Sequence, residues 1–242
     1  MDFKDYAKPS VTVDGVVLTS NIREAENSRK SCTRQLQILL VKRPIEPYAG
    51  KWALPGGFMD ITEKLEETLS KKLYLKTNIS GVYTEQLHVY DNVGRDPRGR
   101  VITVAHLVMG SRDKFHDAAP QYGSEVSWFW VEFGPNGPKL FKDSKQAEEI
   151  TPYDIAFDHY EIIVDALKRL SSLSRSGDLV FHLLPSEFTI RECQDLYEQI
   201  EGHTIYSFRR IIEDKVEPTE SVKSGAAHRP AKLFRFKGDS GK

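Results

Sequence analysis

Residues 54–80 read LPGGFMDITEKLEETLSKKLYLKTNIS, and this stretch decides how the first half of the chain folds. It opens with a Pro-Gly-Gly turn, because these residue types favour turn conformations. Within residues 63–77, three leucines recur at every fourth position and share one side of a helix: Leu65, Leu69 and Leu73. The stretch therefore predicts a turn followed by a helix with one apolar face.

Strands are expected on both sides of this helix. Segments rich in β-branched and other apolar residues predict five of them: 11–19, 35–42, 84–91, 100–109 and 126–131. The polar run 21–33 predicts an exposed hairpin extension, and the weakly patterned residues 134–152 are expected to form a connector. Residues 153–173 predict a second helix. Strands interleaved with helices indicate an α/β or α+β fold built in layers, and α+β is the class predicted here.

The composition excludes several classes of protein. The 242 residues carry 34 Lys and Arg against 35 Asp and Glu, a net charge of −1, so the chain is not a histone-like basic protein. Its apolar stretches are too short to cross a bilayer. The start, MDFKDY, has no apolar signal core, so a cytoplasmic location is expected. Cys32 and Cys193 are far apart and predict reduced thiols.

Residues 54–80 resemble the Nudix box of pyrophosphohydrolases, G-x5-E-x7-R-E-U-x-E-E-x-G-U, where U is a bulky aliphatic residue. Gly57 and Glu63 match the first half in type and spacing. The second half departs from the pattern, at positions where the family has R-E, E-E and G: Lys71, Lys72, Leu75, Lys76 and Asn78. The resemblance implies a Nudix α/β/α sandwich.

The departure decides whether the box can act as a catalyst. Diphosphate hydrolysis needs Mg²⁺ or Mn²⁺, and these hard ions prefer carboxylate oxygens. Positions 72, 75 and 76 share one helix face, which here presents Lys72, Leu75 and Lys76. We therefore expect no metal site, no catalytic residue and no cofactor. The two lysines either attract phosphate oxygens or form an ordinary solvated face.

The remaining acidic side chains of the box lie near the start of the helix, two or more turns from that face: Glu63, Glu66 and Glu67. They are interpreted as favourable charge on the first helical turn.

Residues 92–100, NVGRDPRGR, form a second feature shared with the family. They are similar to the RDPRGR loop of Nudix proteins that recognise ADP-ribose-like nucleotides. Arginine guanidinium groups are forked donors suited to a diphosphate, so Arg95, Arg98 and Arg100 are predicted ligand-binding residues. The alternative is a charged hairpin tip with solvated arginines. Further ligand-binding residues are expected around the glycine turn: Arg43, Trp52, Gly56, Gly57 and Phe58.

The C-terminal residues predict two helices joined by a short turn. Thr189 and Glu192 have the spacing of a capping box, and Gly202 stands where that helix is expected to end. Thr204 is expected to cap a second helix. Four apolar residues should form its buried face: Ile205, Phe208, Ile211 and Ile212. A strand follows at 230–237, and this order resembles a winged helix-turn-helix.

Basic residues predict that this unit binds DNA. Residues 203–242 carry nine Lys and Arg against five Asp and Glu, a local net charge of +4. Arginines beside an aromatic and a hydroxyl suit phosphates and guanine edges in the major groove. The predicted DNA-binding residues lie on the second helix and the wing: Tyr206, Ser207, Arg209, Arg210, Lys223, His228, Arg229 and Lys232. The alternative is a module that docks a protein.

The order of these units resembles the Nudix-related transcriptional regulators of the NrtR type over nearly the whole chain. A Nudix-like ligand-sensing domain is expected at 1–152, a connecting helix and linker at 153–177, and a winged helix-turn-helix at 178–242. AFDH at 156–159 also matches, although His159 alone is more typical of a packing histidine. The resemblance implies a homodimeric repressor that binds operator DNA and responds to ADP-ribose or a related sugar phosphate, with no membrane partner.

Two other functions stay open. One is an active Nudix hydrolase of ADP-ribose-like nucleoside diphosphates with an accessory C-terminal domain, which requires metal ligands that the box lacks. The other is a pseudoenzyme scaffold whose winged helix docks a protein. The scaffold predicts that DNA affinity does not depend on Arg209 and Arg210.

Overall fold

A computed structural model describes residues 2, 5–24, 32–115, 125–135, 137–142, 148–174, 178–223 and 230–239. Its strands are β1 (Ser10–Arg23), β2 (Thr33–Lys42), β3 (Trp52–Ala53), β4 (Gly56–Phe58), β5 (Tyr83–Tyr90), β6 (Val101–Met109), β7 (Val126–Gly134), β8 (Gly137–Phe141), β9 (Glu149–Ile150), β10 (Val216–Lys223) and β11 (Ala231–Phe236). Its α-helices are α1 (Leu65–Thr77), α2 (His159–Ser174), α3 (Ile190–Glu201) and α4 (Phe208–Ile212). None of these helices is long and apolar enough to cross a membrane.

Nine of the described strands form one mixed sheet. Its order is β5-β6-β1-β2-β7-β8-β9, with β3 paired to β2 and β4 paired to β1. β1 and β6 run parallel, whereas the other neighbours run antiparallel. β10 and β11 form a separate antiparallel pair. β1 and β2 therefore lie at the centre of the large sheet.

Helices cover both faces of this sheet. Val13 and Val17 of β1 share a buried cluster with Leu73 of α1. Val16, on the other face of the same strand, belongs to the cluster that contains Ile162 of α2. Successive side chains of a strand point to opposite faces, so α1 and α2 lie on opposite sides of the sheet. The predicted α+β fold with an α/β/α sandwich is confirmed.

The hairpin extension predicted at 21–33 is present where the structure describes it, but it is less exposed than expected. β1 continues to Arg23, which pairs with Thr33 at the start of β2. Arg23 is buried, and its guanidinium donates to the Glu132 carboxylate at 2.8 Å. A charged side chain that finds a carboxylate partner can continue a strand, which composition alone does not reveal. Residues 25–31 lie outside the described residues.

The expected connector at 134–152 contains two strands. β8 and β9 extend the sheet beyond β7, and Leu140 pairs with Ile150. Only these two positions and Phe141 are buried in the two strands. An alternation this short leaves no clear hydrophobic period in the sequence.

The helix predicted at 153–173 begins later, at His159. Ile155 is extended and forms a parallel bridge with Trp52. Phe157 has a φ of 55°, in the left-handed region that a helix interior does not tolerate. The segment before α2 therefore joins the sheet edge instead of the helix.

The first C-terminal helix matches its predicted caps. The Thr189 hydroxyl accepts from the Glu192 amide at 3.1 Å, and the Glu192 carboxylate accepts in return from the Thr189 amide at 2.8 Å. Gly202 ends α3 with a φ of 74°, a conformation that glycine adopts without strain.

The second C-terminal helix is shorter than predicted. Ser207 has a φ of 56°, so α4 begins at Phe208 and Thr204 does not cap it. Phe208 and Ile212 are buried because residues four apart share one face of a short helix. The expectation that Ile211 is buried is wrong, since it is 58 % exposed.

The apolar core continues from the large sheet into the C-terminal part. Leu36 and Val131 of the sheet belong to the same buried cluster as Phe181, Leu196 and Phe234. The described residues therefore share one core on both sides of the predicted linker. The domain limits inferred from sequence stay a prediction.

Candidate functional site

A cavity of about 300 Å³ opens between the end of β2, the β4 turn, α1 and the 92–100 loop. This volume lies at the lower end of the range for small-molecule sites. Six of the eight predicted ligand-binding residues line it: Arg43, Gly56, Gly57, Phe58, Arg95 and Arg98. Segments far apart in sequence thus meet at one concave surface.

The glycine turn is required by close packing. A Cβ on Gly56 would lie 2.2 Å from the Val13 carbonyl oxygen and 2.3 Å from Asp14 Oδ1, closer than any side chain can approach. A Cβ on Gly57 would touch the Lys72 side chain at 3.3 Å. The absence of side chains at both positions lets β4 pair with β1 and lets Lys72 of α1 approach the turn.

Arg95 anchors the loop to the start of α2. Its Nε and Nη2 donate to the two Asp158 carboxylate oxygens at 2.8 and 2.7 Å. The Arg95 side chain is only 4 % exposed. A bidentate pair of this kind fixes the guanidinium in one geometry. Arg95 therefore shapes the cavity wall while its charge is already compensated.

Arg98 is held over the mouth of the cavity. Its guanidinium pairs with Asp96 at 2.6 Å and lies 5.1 Å from the Phe58 ring and 5.7 Å from the Phe157 ring. The hydrogen bond from Arg98 lowers the pKa of the Asp96 carboxyl. The Arg98 side chain is 43 % exposed, so its guanidinium is accessible to a ligand.

Arg43 lies close to the same aromatic ring. Its guanidinium is 4.8 Å from the Phe157 ring, and its Nε donates to the Pro47 carbonyl at 2.7 Å. Burial lowers the pKa of Arg43, and the charge of Arg98 lowers it further. Two arginines that repel each other across a cavity favour the binding of an anion.

Two predicted ligand residues do not reach the cavity. Trp52 is buried, and its ring packs against the Phe129 ring at 4.8 Å. Arg100 points to the base of its loop, where it hydrogen-bonds to the Asp91 carbonyl. Trp52 supports the sheet, and Arg100 holds the loop closed.

Sequence reasoning missed Asp14 and Phe157, which also line the cavity. Asp14 is a single acid inside an apolar strand, a signal that could have identified it. It is buried and accepts a hydrogen bond from the Thr103 hydroxyl at 2.6 Å. Phe157 carries no comparable periodic signal, because its position depends on the left-handed backbone before α2.

His159 joins α2 to the glycine turn. Its Nδ1 accepts from the Leu54 amide at 2.9 Å, which leaves Nε2 facing Asp14 Oδ2 at 3.8 Å. Burial lowers the pKa of His159, so the ring is neutral and carries its proton on Nε2. The contacts fit the packing histidine that the sequence indicated.

The α1 face beside the cavity does not fit a divalent cation. Lys72 lies over Gly57, and Lys76 lines the cavity itself. In the part of the chain that the structure describes, no three His, Cys, Asp or Glu side chains are grouped to hold a metal. Glu63 instead accepts from the Thr68 hydroxyl and the Lys71 ammonium. Ammonium groups therefore stand where the family pattern has carboxylates.

The predicted DNA-binding residues fall into three groups. Five are exposed and form no ion pair with another described residue: Tyr206, Ser207, Arg209, Arg210 and Lys232. Lys223 is also exposed, but its ammonium already forms an ion pair with the Glu192 carboxylate at 2.8 Å. His228 and Arg229 lie outside the described residues. The start of α4 and strand β11 thus present basic groups to solvent.

Glu192 of α3 connects this surface to the large sheet. Its carboxylate contacts Lys223 of β10 and also Arg34 of β2, at 3.1 Å. Burial alone would raise the pKa of Glu192, but the hydrogen bonds from Lys223 and Thr189 and the charge of Arg34 outweigh it and lower the pKa to about 2. The carboxylate is therefore ionised at neutral pH.

β2 connects the C-terminal unit to the cavity. At its first half, the Leu36 amide donates to the Gln199 side chain of α3 at 2.7 Å. The same Gln199 side chain donates to the Val131 carbonyl of β7. At its far end, β2 leads directly into Arg43 at the cavity. One central strand therefore contacts the C-terminal unit at α3 and the cavity at its other end.

Two family models match the chain. The NUDIX domain model matches residues 30–153, and the NrtR DNA-binding winged helix domain model matches residues 180–236. The two matches fall on the sheet with α1 and on the C-terminal unit.

Known relatives match nearly the whole chain. An "ADPR responsive transcriptional repressor NtrR" of Acinetobacter baylyi is 33 % identical over 237 residues, covering 96 % of this chain and 84 % of that protein. The crystal structure of Shewanella oneidensis NrtR complexed with a 27mer DNA has a TM-score of 0.69 at 32 % identity, covering 95 % of this chain and 94 % of that chain.

Hydrolase relatives match as well. An ADP-ribose pyrophosphatase of Methanocaldococcus jannaschii is 31 % identical over 168 residues, covering 69 % of this chain and 78 % of that protein. The resemblance to Nudix-related regulators rests on both units together and is confirmed by the winged-helix match. The chain belongs to the NrtR family, in which a Nudix domain is followed by a DNA-binding winged helix.

Proposed function

We propose that the protein is a transcriptional regulator that binds operator DNA through its winged helix and is controlled by a ligand in its Nudix domain. The ligand is ADP-ribose or a related sugar phosphate. The observation that carries the proposal is a cavity with two guanidinium groups, Arg43 and Arg98, beside a helix face of ammonium groups in place of carboxylates. This arrangement favours binding of a diphosphate over its hydrolysis.

The DNA side of the proposal rests on the exposed basic residues of α4 and the wing. Arg209 and Arg210 are exposed beside Tyr206, which is 84 % exposed. Arginine contacts phosphates and reads guanine edges in the major groove. The relative from Shewanella oneidensis, whose fold this chain shares, is crystallised with DNA. We infer the same kind of partner for this surface.

The link between the two sites supports regulation. β2 contacts α3 at Leu36 and reaches the cavity at Arg43, and α2 begins at His159 beside the cavity. We infer a homodimer whose two winged helices bind half-sites about 34 Å apart or a multiple of that distance. A ligand that changes the spacing of the two winged helices changes the operator affinity, with a typical coupling of about 1–3 kcal/mol.

Labelled DNA from upstream of the protein's own gene, with a scrambled duplex as control, tests the proposal by fluorescence anisotropy. We expect salt-sensitive binding to the upstream DNA that changes roughly 5- to 150-fold when ADP-ribose is added. No preference for the upstream DNA over the scrambled duplex, or no response to ADP-ribose and related sugar phosphates, contradicts it.

An active ADP-ribose hydrolase is the second candidate, because the Methanocaldococcus jannaschii relative is an ADP-ribose pyrophosphatase. The box residues do not favour hydrolysis, because Lys72, Leu75 and Lys76 provide no oxygen ligand for Mg²⁺ or Mn²⁺. Incubation with ADP-ribose and either metal, followed by measurement of AMP, separates the two functions. We expect no AMP above the uncatalysed level. Robust turnover without specific DNA binding supports the hydrolase.

A further inference from the structure

Lys76 lines the cavity although it is not one of the predicted ligand-binding residues, and the sequence left open whether it attracts phosphate oxygens or is solvated. It lies on α1, one turn after Lys72, and lines the same cavity as Arg43 and Arg98. In the family pattern this position carries the second glutamate of the E-E pair. An ammonium group therefore occupies the part of the site where a metal-bound diphosphate would otherwise be held.

Most charges around the cavity are already compensated by neighbours. Arg95 is paired with Asp158, Arg98 with Asp96, and Lys42 with Glu125 at 3.2 Å. Three charged residues of the wall remain after these pairs are counted. Two are cations, Arg43 and Lys76, and one is an acid, Asp14.

Among the described residues, neither Arg43 nor Lys76 forms an ion pair with a carboxylate. Arg43 donates instead to the carbonyls of Pro47 and Ile45. The Asp14 carboxylate accepts from the Thr103 hydroxyl and faces the His159 ring. The wall of the cavity therefore carries excess positive charge, although it is partly buried.

Burial is also the main reason that the pKa of Lys76 is lowered. Asp14 opposes the shift, while the charges of Arg43 and Lys72 add to it. A nearby anion reverses this balance, because it stabilises the ammonium form. Lysine is a point charge that binds phosphate oxygens without requiring one fixed geometry.

We propose that Lys76 binds the diphosphate of the ligand in place of a divalent cation, with Arg43 as its partner, so that ligand binding needs no metal. This inference rests on the proposed function, since it assumes that the cavity takes a diphosphate. The two cations match the two negative charges of a diphosphate that joins two riboses. Lys72, whose methylenes lie over Gly57, then stabilises the turn that forms the cavity floor.

Isothermal titration of ADP-ribose into the full-length protein tests this proposal. The wild type is titrated in excess EDTA and in excess Mg²⁺, and the variants in EDTA. Lys76→Met removes the charge and keeps the length of the side chain. Lys71→Met is the matched control, because Lys71 lies on the same helix but pairs with Glu63 and does not line the cavity. Circular dichroism checks that each variant is folded.

We expect the wild type to bind equally well with and without Mg²⁺. Lys76→Met should weaken binding about 10- to 100-fold, the usual effect of a lost charged hydrogen bond, while Lys71→Met binds like the wild type. Lys76→Arg keeps the charge and should retain more affinity than Lys76→Met. If Lys76→Met does not fold, the wild-type titrations in EDTA and Mg²⁺, together with Lys76→Arg, decide.

Three other results have different meanings. Wild-type binding that requires Mg²⁺ overturns the inference about Lys76 and leaves the proposed function standing. Unchanged affinity of Lys76→Met overturns it in the same way. No binding of ADP-ribose to the wild type under either condition contradicts the proposed ligand, and the inference about Lys76 with it.

Discussion

The cavity and the winged helix both present arginines, but they hold them differently. In the cavity, Arg95 is almost fully buried in a bidentate pair with Asp158, and Arg98 is paired with Asp96 and stacked on rings. On α4, Arg209 and Arg210 are exposed, and neither forms an ion pair within the described part of the chain. The same residue type therefore serves two kinds of recognition.

The difference follows from the two ligands. A small ligand is bound most tightly by donors that are already in position, because ordering side chains during binding costs entropy. A DNA backbone offers many phosphates, so flexible cations on a surface are sufficient, and their contribution falls as salt rises. Substitutions in the cavity should therefore affect folding as well as binding, whereas substitutions on α4 should affect binding alone.

The largest expected effect on stability concerns Arg95, the buried arginine of the cavity. Arg95→Ala leaves the Asp158 carboxylate, which is only 13 % exposed, without its partner, and this should lower the free energy of unfolding by about 3 kcal/mol or more. Urea denaturation measures the change. Arg100→Ala in the same loop is the control, because Arg100 is exposed and loses only an exposed ion pair and a carbonyl hydrogen bond with Asp91, together worth about 1–2 kcal/mol. Equal effects of the two substitutions would break the comparison.

The next effect concerns Glu192, which joins the winged helix to the sheet. Its pKa is about 2 in the folded protein and 4.5 ordinarily, so its ionised form contributes up to about 3 kcal/mol of stability. A lowered pKa means that this stability is present above about pH 4.5 and is lost as the pH falls toward 2.

Unfolding in urea at a series of pH values checks this expectation. Glu192→Gln should be less stable at neutral pH and should lose less stability on acidification than the wild type. Glu217→Gln is the control, because the Glu217 carboxylate pairs with Arg235 on the exposed wing. A wild-type stability that does not fall in acid faster than that of Glu192→Gln would contradict the assignment.

For the exposed arginines of α4, we expect substitutions to weaken DNA binding with little loss of stability. If the substituted arginine reads a base, Arg209→Ala or Arg210→Ala should weaken operator binding by about 1–3 kcal/mol. If it contacts a phosphate, the slope of log affinity against log salt concentration should become smaller by about one. The free energy of unfolding should stay within about 0.5 kcal/mol of the wild type for Arg210→Ala, and within about 1 kcal/mol for Arg209→Ala, whose guanidinium lies 5.9 Å from the Phe234 ring. Fluorescence anisotropy at several salt concentrations measures the operator affinity and its dependence on salt.

Lys168→Ala, an exposed lysine on α2, is the matched control for these two variants and should leave operator binding unchanged. If Arg209→Ala and Arg210→Ala also leave the operator affinity unchanged, the result contradicts DNA recognition by α4 and favours a C-terminal unit that docks a protein.

The smallest effect concerns Ile211 on the same short helix. Ile211→Ser should change the free energy of unfolding by no more than about 0.5 kcal/mol, because the side chain is already in water. Ile212→Ala should cost about 2–5 kcal/mol, since Ile212 is buried in the core. Thermal or urea unfolding of the two variants compares neighbouring residues of one helix. A large loss for Ile211→Ser would mean that α4 packs differently.

Elements with a clear local period were predictable from sequence. The apolar stripe of α1 was found because Leu69 and Leu73 are one turn apart, and both are buried. The caps of α3 were found because Thr189 and Glu192 satisfy each other across three residues. The sequence did not predict β8, β9 or the shortened α4, because their few buried positions form no detectable hydrophobic period.

The sequence by itself determined the order of the main helices and of five strands, the family resemblance and the replacement of the box carboxylates by Lys72, Leu75 and Lys76. These features depend on residue types and on neighbours along one chain segment. Only the tertiary structure decided that Arg95 is bound by Asp158, 63 positions away, and that Lys76 and Arg43 share one cavity. Such contacts join segments whose separation is set by the packing of the whole sheet, and no local pattern encodes them.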